Sequence, residues 1–204
     1  NIDYALRYSG YQGIVDYGLS WFHGTSRDPD YIPGTDGRLI PFYPQIDQLG
    51  LDLQVTSDAW LWKLEVIRRL FNDSNTISGG DFTALVGGFE YSFYGMAEGL
   101  YDLGLLLEYH TDIRDDPGSV VFQNDIFAAT RFGFTDAASS EILAGFIVDL
   151  DDQTSSFRVE ANRRIFSDFR ISLEAQAFSN VDPGNVGFGL RDSDFVRLSL
   201  EMFF

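Results

Sequence analysis

DFVRLSLEMFF closes the chain at residues 194–204. Val196, Leu198, Leu200, Met202 and Phe204 fall on one parity; Phe195, Arg197, Ser199, Glu201 and Phe203 fall on the other. Successive side chains of a strand point to opposite faces. One face of this stretch is therefore wholly apolar and the other mostly polar. A single strand of this kind suits many sheets, so its repetition decides the fold.

The alternation recurs along the chain. In SFRVEANRRIF, Phe157, Val159, Ala161 and Ile165 oppose Arg158, Glu160, Asn162 and Arg164. In FRISLEAQAF, Phe169, Ile171, Leu173, Ala175 and Ala177 oppose Arg170, Ser172, Glu174 and Gln176. YDLGLLLEYH, AWLWKLEVIRR, QLGLDLQVT and IDYALRYS repeat the pattern upstream. About eleven such segments lie near 1–11, 13–23, 45–56, 59–71, 81–95, 101–112, 121–135, 140–151, 155–166, 169–179 and 194–204. No helical period of 3.6 competes over a comparable length. The expected fold class is all-β, an antiparallel up-and-down meander. Each segment has roughly the 9–11 residues that a tilted strand needs to cross a bilayer.

The connections alternate as well. Short ones fall at YQG, TSDA, GMAEGL, TDAASS and the SD of 167–168; long ones fall at 24–44, 72–80, 112–120 and 180–193, with DDQTS a shorter member. All six prolines, at 29, 33, 41, 44, 117 and 183, lie in the long set. Proline cannot donate to a strand ladder, so a barrel must keep it there. Short turns at one end and long loops at the other describe a transmembrane β-barrel. With the short turns on one rim, Trp60, Trp62, Tyr101 and Phe169 open strands there, and Phe132 and Phe134 close them. Trp21 and Tyr109 sit near the other rim. Two aromatic girdles result, where amphipathic rings prefer a membrane interface. An aromatic-rich sandwich core is the competing reading.

The terminal strand resembles the β-signal of Gram-negative outer-membrane proteins, a final Phe preceded by apolar residues at alternate positions. Phe204, Met202, Leu200, Leu198 and Val196 carry the match. The resemblance implies a bacterial outer-membrane location, recognition by the barrel assembly machinery, and contact with outer-membrane lipids and lipopolysaccharide. Counting strands back from a periplasmic Phe204 makes 1–11 run inward. An even barrel then needs a further strand before Asn1 or one hidden in 24–44. GRLIPFYPQ is a poor strand because Pro41 and Pro44 interrupt it. The expectation is one barrel domain over 1–204, lacking an N-terminal segment of a parent with twelve or more strands, and with 24–44 as a long extracellular loop.

Composition narrows the function classes. Lys and Arg total 14 against 31 Asp and Glu, a formal charge of −17, which argues against nucleic acid. There are no cysteines, hence no disulfide or thiolate metal site. No run of about 18 apolar residues is present, so no membrane-spanning helix is expected. The lumen-facing row comprises Arg7, Asp52, Lys63, Glu65, Arg69, Glu90, Glu108, His110, Asp125, Arg131, Arg158, Glu160, Arg164, Arg170, Glu174, Arg197 and Glu201. It reads equally as a selectivity lining or as a structural salt-bridge network filling a narrow barrel. Arg68 and Arg163 fall on the lipid face near strand ends, where they snorkel or, at Arg68, meet a lipopolysaccharide phosphate. The acidic loops DIRDDPG and DLDD read as solvated charge rather than metal sites, and no cofactor is expected. His23 lies at a strand end with no evident Ser partner, and His110 is on the wrong face for a barrel lipase. The expected function is a porin-like channel or transporter for small polar solutes. The alternatives are a scaffold barrel around a lipoprotein or periplasmic subunit and, ranked last, a hydrolase.

Overall fold

The computed structural model describes residues 2–35, 37–72, 80–114 and 120–204. The order of elements is β1 (Tyr4–Gln12), β2 (Val15–Thr25), β3 (Asp30–Pro33), β4 (Leu39–Phe42), β5 (Gln45–Ser57), β6 (Trp60–Phe71), β7 (Phe82–Gly95), β8 (Tyr101–Ile113), β9 (Asn124–Phe134), β10 (Glu141–Asp149), β11 (Ser155–Arg164), β12 (Phe169–Ser179) and β13 (Phe195–Met202). Eleven strands form one sheet in the order β1-β2-β5-β6-β7-β8-β9-β10-β11-β12-β13, and β3 and β4 form a separate pair. The all-β, antiparallel, up-and-down reading holds. The alternation of connections holds except after β10: the hairpins after β1, β5, β7, β9 and β11 are short and long links follow β2, β6, β8 and β12, but the 150–154 link after β10 is shorter than the 135–140 turn after β9.

The sheet is not closed. Its two edges are β1 and β13, so the barrel expected from the sequence is not formed by the described residues. The physical reason is parity. In an antiparallel meander of eleven strands the first and last run the same way, so they cannot meet as antiparallel neighbours. The reading of 24–44 as a loop also changes. β2 extends to Thr25, and Leu39–Phe42, judged a poor strand, pairs with Asp30–Pro33 as a hairpin. Both strands of a two-stranded ribbon are edges, so Pro33 and Pro41 can turn their missing donors outward. This hairpin does not supply a twelfth strand to the main sheet.

The turns use backbone that only some residues adopt. Gly13 has φ 62 in the β1–β2 turn, and Gly95 and Gly99, at φ 64 and 89, bracket the single turn at Met96–Gly99 before β8. Such positive φ is the ordinary province of glycine. The chain groups into two compact units. One comprises 1–55, 63–87 and 110–123; the other comprises 56–62, 88–109 and 124–204. Little apolar surface is covered in either. Among the described residues the buried hydrophobic side chains are Ile46 and Phe82, with Pro44 fully enclosed beside the first. Leu49 is 58% exposed, and Phe146 and Phe157 are each 48% exposed, although all lie inside strands.

Gly88 marks a close approach. A Cβ there would collide with the Leu107 carbonyl oxygen and the Glu108 backbone on β8. Gly133 has nothing within 4 Å of the same construction. Gly88→Ala is therefore expected to cost about 1–3 kcal/mol, while Gly133→Ala costs little. Denaturant midpoints in detergent micelles measure both; equal midpoints would refute the close packing of β7 on β8.

Candidate functional site

The charged face of the sheet is the candidate site, and the strand register assembles it in layers. In the first unit Arg7 (β1) reaches over β2 to Asp52 (β5), with Nη2 donating to Oδ2 at 2.9 Å. Gly18 of β2 lies between them, opposite Ser9 on one side and Asp52 on the other. A Cβ at Gly18 would stand 2.7 Å from Asp52 Oδ2 and 2.9 Å from Arg7 Nη2, so the missing side chain makes room for the pair. Lys63 and Glu65 line the same recess with Asp16, Tyr11 and Gln54.

A second cluster in this unit stands at the long-loop end. Arg69 donates from Nε to Gln48 Oε1 at 2.9 Å and lies 3.6 Å from Asp28. Its guanidinium is 5.3 Å from the Phe82 ring, and the Arg114 guanidinium is 4.1 Å from the same ring. Arg114 in turn makes a bidentate pair with Asp112, both bonds 2.6 Å. One buried ring thus serves two cations, the second neutralised by a nearly buried carboxylate. His110 belongs to this region, its ring 5.4 Å from Phe122. Sequence reasoning placed Arg69 and His110 on this face but missed Phe82 and Arg114. Arg114 lies outside any strand, where alternation carries no information.

In the second unit Arg131 lies 3.8 Å from Glu141, and Glu90 approaches it across Gly104. Glu108 packs beside Gly88, and Asp125 is buried, accepting from the Asn124 N–H at 3.1 Å. The densest part is β11–β13. Arg158 donates from Nε to Glu160 at 2.7 Å, from Nη1 to Gln176 at 3.2 Å, and from Nη2 to Glu174. Arg197 donates to the other Glu174 oxygen at 3.1 Å. Arg164, Arg170 and Glu201 lie on the same face but outside that network.

On the apolar face the aromatic residues cluster by rim. Trp60 and Trp62 stack at 5.3 Å and meet Phe89 at 5.4 and 5.1 Å. Tyr101 approaches Phe132 and Phe134 at 5.8 and 6.1 Å, and Phe169 lies opposite Met202. At the long-loop end Tyr109 donates its hydroxyl to Asn124 at 2.9 Å, and Trp21 stacks on His23 at 6.3 Å. Of the residues that carry the resemblance to an assembly signal, Val196, Leu198 and Leu200 lie opposite Ala175, Leu173 and Ile171, and Phe204 is fully exposed. The two cations of this face have partners. Arg68 donates to Thr83 at 3.1 Å with Asp81 at 3.9 Å, and Arg163 lies 3.4 Å from Asp136. His23, read as a strand-end residue with no evident Ser partner, contacts Asp47 at 2.9 Å, and Asn72 donates to the second Asp47 oxygen at 2.8 Å. The irregular link between β2 and β5 hid that register.

Among the described residues no three His, Asp or Glu converge as a metal site would require. The DLDD carboxylates build a turn instead: Asp149 accepts the Asp151 and Asp152 amides at 2.7 and 3.2 Å, and Asp152 accepts from Asn185 at 2.9 Å. Asp36, Asp115 and Asp116 lie outside the described residues. Comparison with protein-family models, with curated proteins and with solved structures gives no match.

Two outcomes are expected. Glu160 and Glu174 are directly opposite, so Arg158→Gln leaves two carboxylates facing each other with less compensation. The denaturant midpoint should fall, by less at added salt, and be largely restored by Glu160→Gln in the same chain. Asp136, in the β9–β10 turn, accepts the Ser140 amide at 2.9 Å and its hydroxyl at 2.7 Å. These bonds, with Arg163 nearby, hold its carboxyl below the ordinary carboxylate range. A lowered folded pKa stabilises above the unfolded value and is lost as pH falls through the folded one. Acid unfolding curves should therefore show an acid-limb stability loss that Asp136→Asn removes; identical curves would contradict it.

Proposed function

We propose that residues 1–204 form the wall of a transmembrane β-barrel in a bacterial outer membrane, and that the barrel passes small polar solutes. The carrying observation is the uncovered apolar face. Two hydrophobic side chains are buried among the described residues, whereas Leu105 and Leu107 in mid-strand are each 41% exposed. Burying apolar surface is worth about 25 cal/mol per Å², so such a face favours a hydrocarbon surround. A sandwich would cover it with a second sheet, and the only other sheet among the described residues is the β3–β4 pair.

Lipid cannot satisfy unpaired backbone groups, so the edges β1 and β13 require partners there. Both edges run from the long-loop side to the short-turn side. Antiparallel closure therefore takes an odd number of strands between them, the smallest being one that runs the opposite way. That arithmetic supports a barrel of twelve or more strands. The exposed apolar row Val196, Leu198, Leu200 and Met202 supports outer-membrane lipids around the wall. The charged face, lined by Arg7, Asp52, Lys63, Glu65, Arg158 and Glu174, would then border the conducting path. A scaffold barrel is the second reading. The observation favouring it is the Arg69–Phe82–Arg114 cluster, which fills part of that face with packed groups.

The test is single-channel recording of the purified protein in planar bilayers under a salt gradient. The channel reading expects steady openings whose reversal potential shifts when Glu174 becomes Gln. Silence from protein shown to be inserted and folded would contradict it and favour the scaffold.

A further inference from the structure

Two like-charge confrontations occur on the charged face of β11 and β12, and the sheet resolves only one. Glu160 lies directly opposite Glu174, and two guanidiniums, Arg158 and Arg197, stand over that pair. Four residues further toward the short turn, Arg164 lies directly opposite Arg170. Neither makes an ion pair among the described residues. Glu201 stands opposite Arg170 in register on β13 without bridging to it, and the Arg170 guanidinium instead lies 5.7 Å from the Phe203 ring. Of the ion pairs nearest to them among the described residues, Arg163 with Asp136 uses the other face, and Glu141, opposite Asn162 on the charged face, is paired with Arg131 at 3.8 Å.

Like charges directly opposite destabilise a sheet. This chain has 31 acidic residues against 14 basic ones, yet among the described residues this pair has no ion-pair partner. Directly opposed residues have Cβ atoms roughly 4.5–5.5 Å apart, so two planar guanidinium forks can converge on one group of oxygen atoms. The geometry points to Arg164 and Arg170 as a binding site for a small oxyanion solute, a phosphate or a carboxylate, at the short-turn mouth of the charged face. This deepens the proposed function and rests on it for the direction of traffic: the solutes that the wall handles would carry an anionic group, and this pair would be their contact at that mouth.

Inorganic phosphate is the probe. The protein is reconstituted in zwitterionic lipid nanodiscs at low ionic strength, and phosphate binding is measured by calorimetry. Saturable binding is expected, weakened about tenfold or more in R164Q/R170Q, because charge-assisted bidentate contacts are lost. Stability gives a second readout. Without phosphate, R164Q/R170Q should unfold at a higher denaturant concentration than the parent, since a repulsion is removed; phosphate should raise the parent's midpoint and leave the variant's unchanged. Absence of saturable binding, or equal affinity in parent and variant, overturns the site. The two readings fail separately: currents in bilayers without phosphate binding remove the site and keep the channel, while phosphate binding with silent bilayers keeps the site and removes the channel.

Discussion

The structure depends on one constraint: a strand committed to a hydrogen-bonded ladder has no choice about where its side chains go. From β9 to β13 the register is continuous, residue against residue, so each residue shares a face with the residues directly opposite it on its neighbours. An arginine at 158 therefore meets residue 176 on β12 and residue 145 on β10 whether or not those suit it. The sequence suits it by placing Gln176 on one side and Gly145 on the other. The apolar positions have no such answer among the described residues: Phe146 of β10 stays 48% exposed and Leu173 of β12 38%. The proposed lipid surround rests on that exposure rather than on any motif.

The charged face is organised by the same register. Long side chains bridge strands where a small residue lets them pass, as Arg7 does over Gly18. Exposed pairs of this kind contribute little stability individually, roughly 0–1 kcal/mol. Their arrangement matters more than their sum. Near the long loops the charges are packed against rings, with Phe82 between Arg69 and Arg114. In the middle of β11–β13 they neutralise one another. At the short-turn end they do not, and Arg164 and Arg170 face each other with their donors uncommitted to carboxylates.

Fold class was legible because alternation is a local signal, repeated over stretches long enough to exclude a helical period. The face of each charged residue followed from parity alone. What parity cannot supply is the partner across a long connection. His23 and Asp47 pair because β2 and β5 are neighbours at that register, and 19 residues of irregular chain and hairpin separate the two strands. The same limit hid the contact between Asp28 and Arg69. Pro41 misled for a different reason: proline excludes a central strand but not an isolated ribbon, and the sequence does not say which it will join. The count of eleven strands was legible too, and with it the need for a further strand before the sheet can close.

The central claim is that the odd-numbered positions of β12 meet lipid and the even-numbered ones meet water. The chain has no cysteine, so single cysteines at 170 to 177 can each carry a spin label without background. Collision with oxygen, which partitions into lipid, and with a water-soluble nickel chelate would be measured for each site in reconstituted bilayers. The account expects a period of two, with oxygen dominating at 171, 173, 175 and 177 and nickel at 170, 172, 174 and 176. Odd positions shielded from both agents would instead indicate a protein core, and the membrane wall would be wrong.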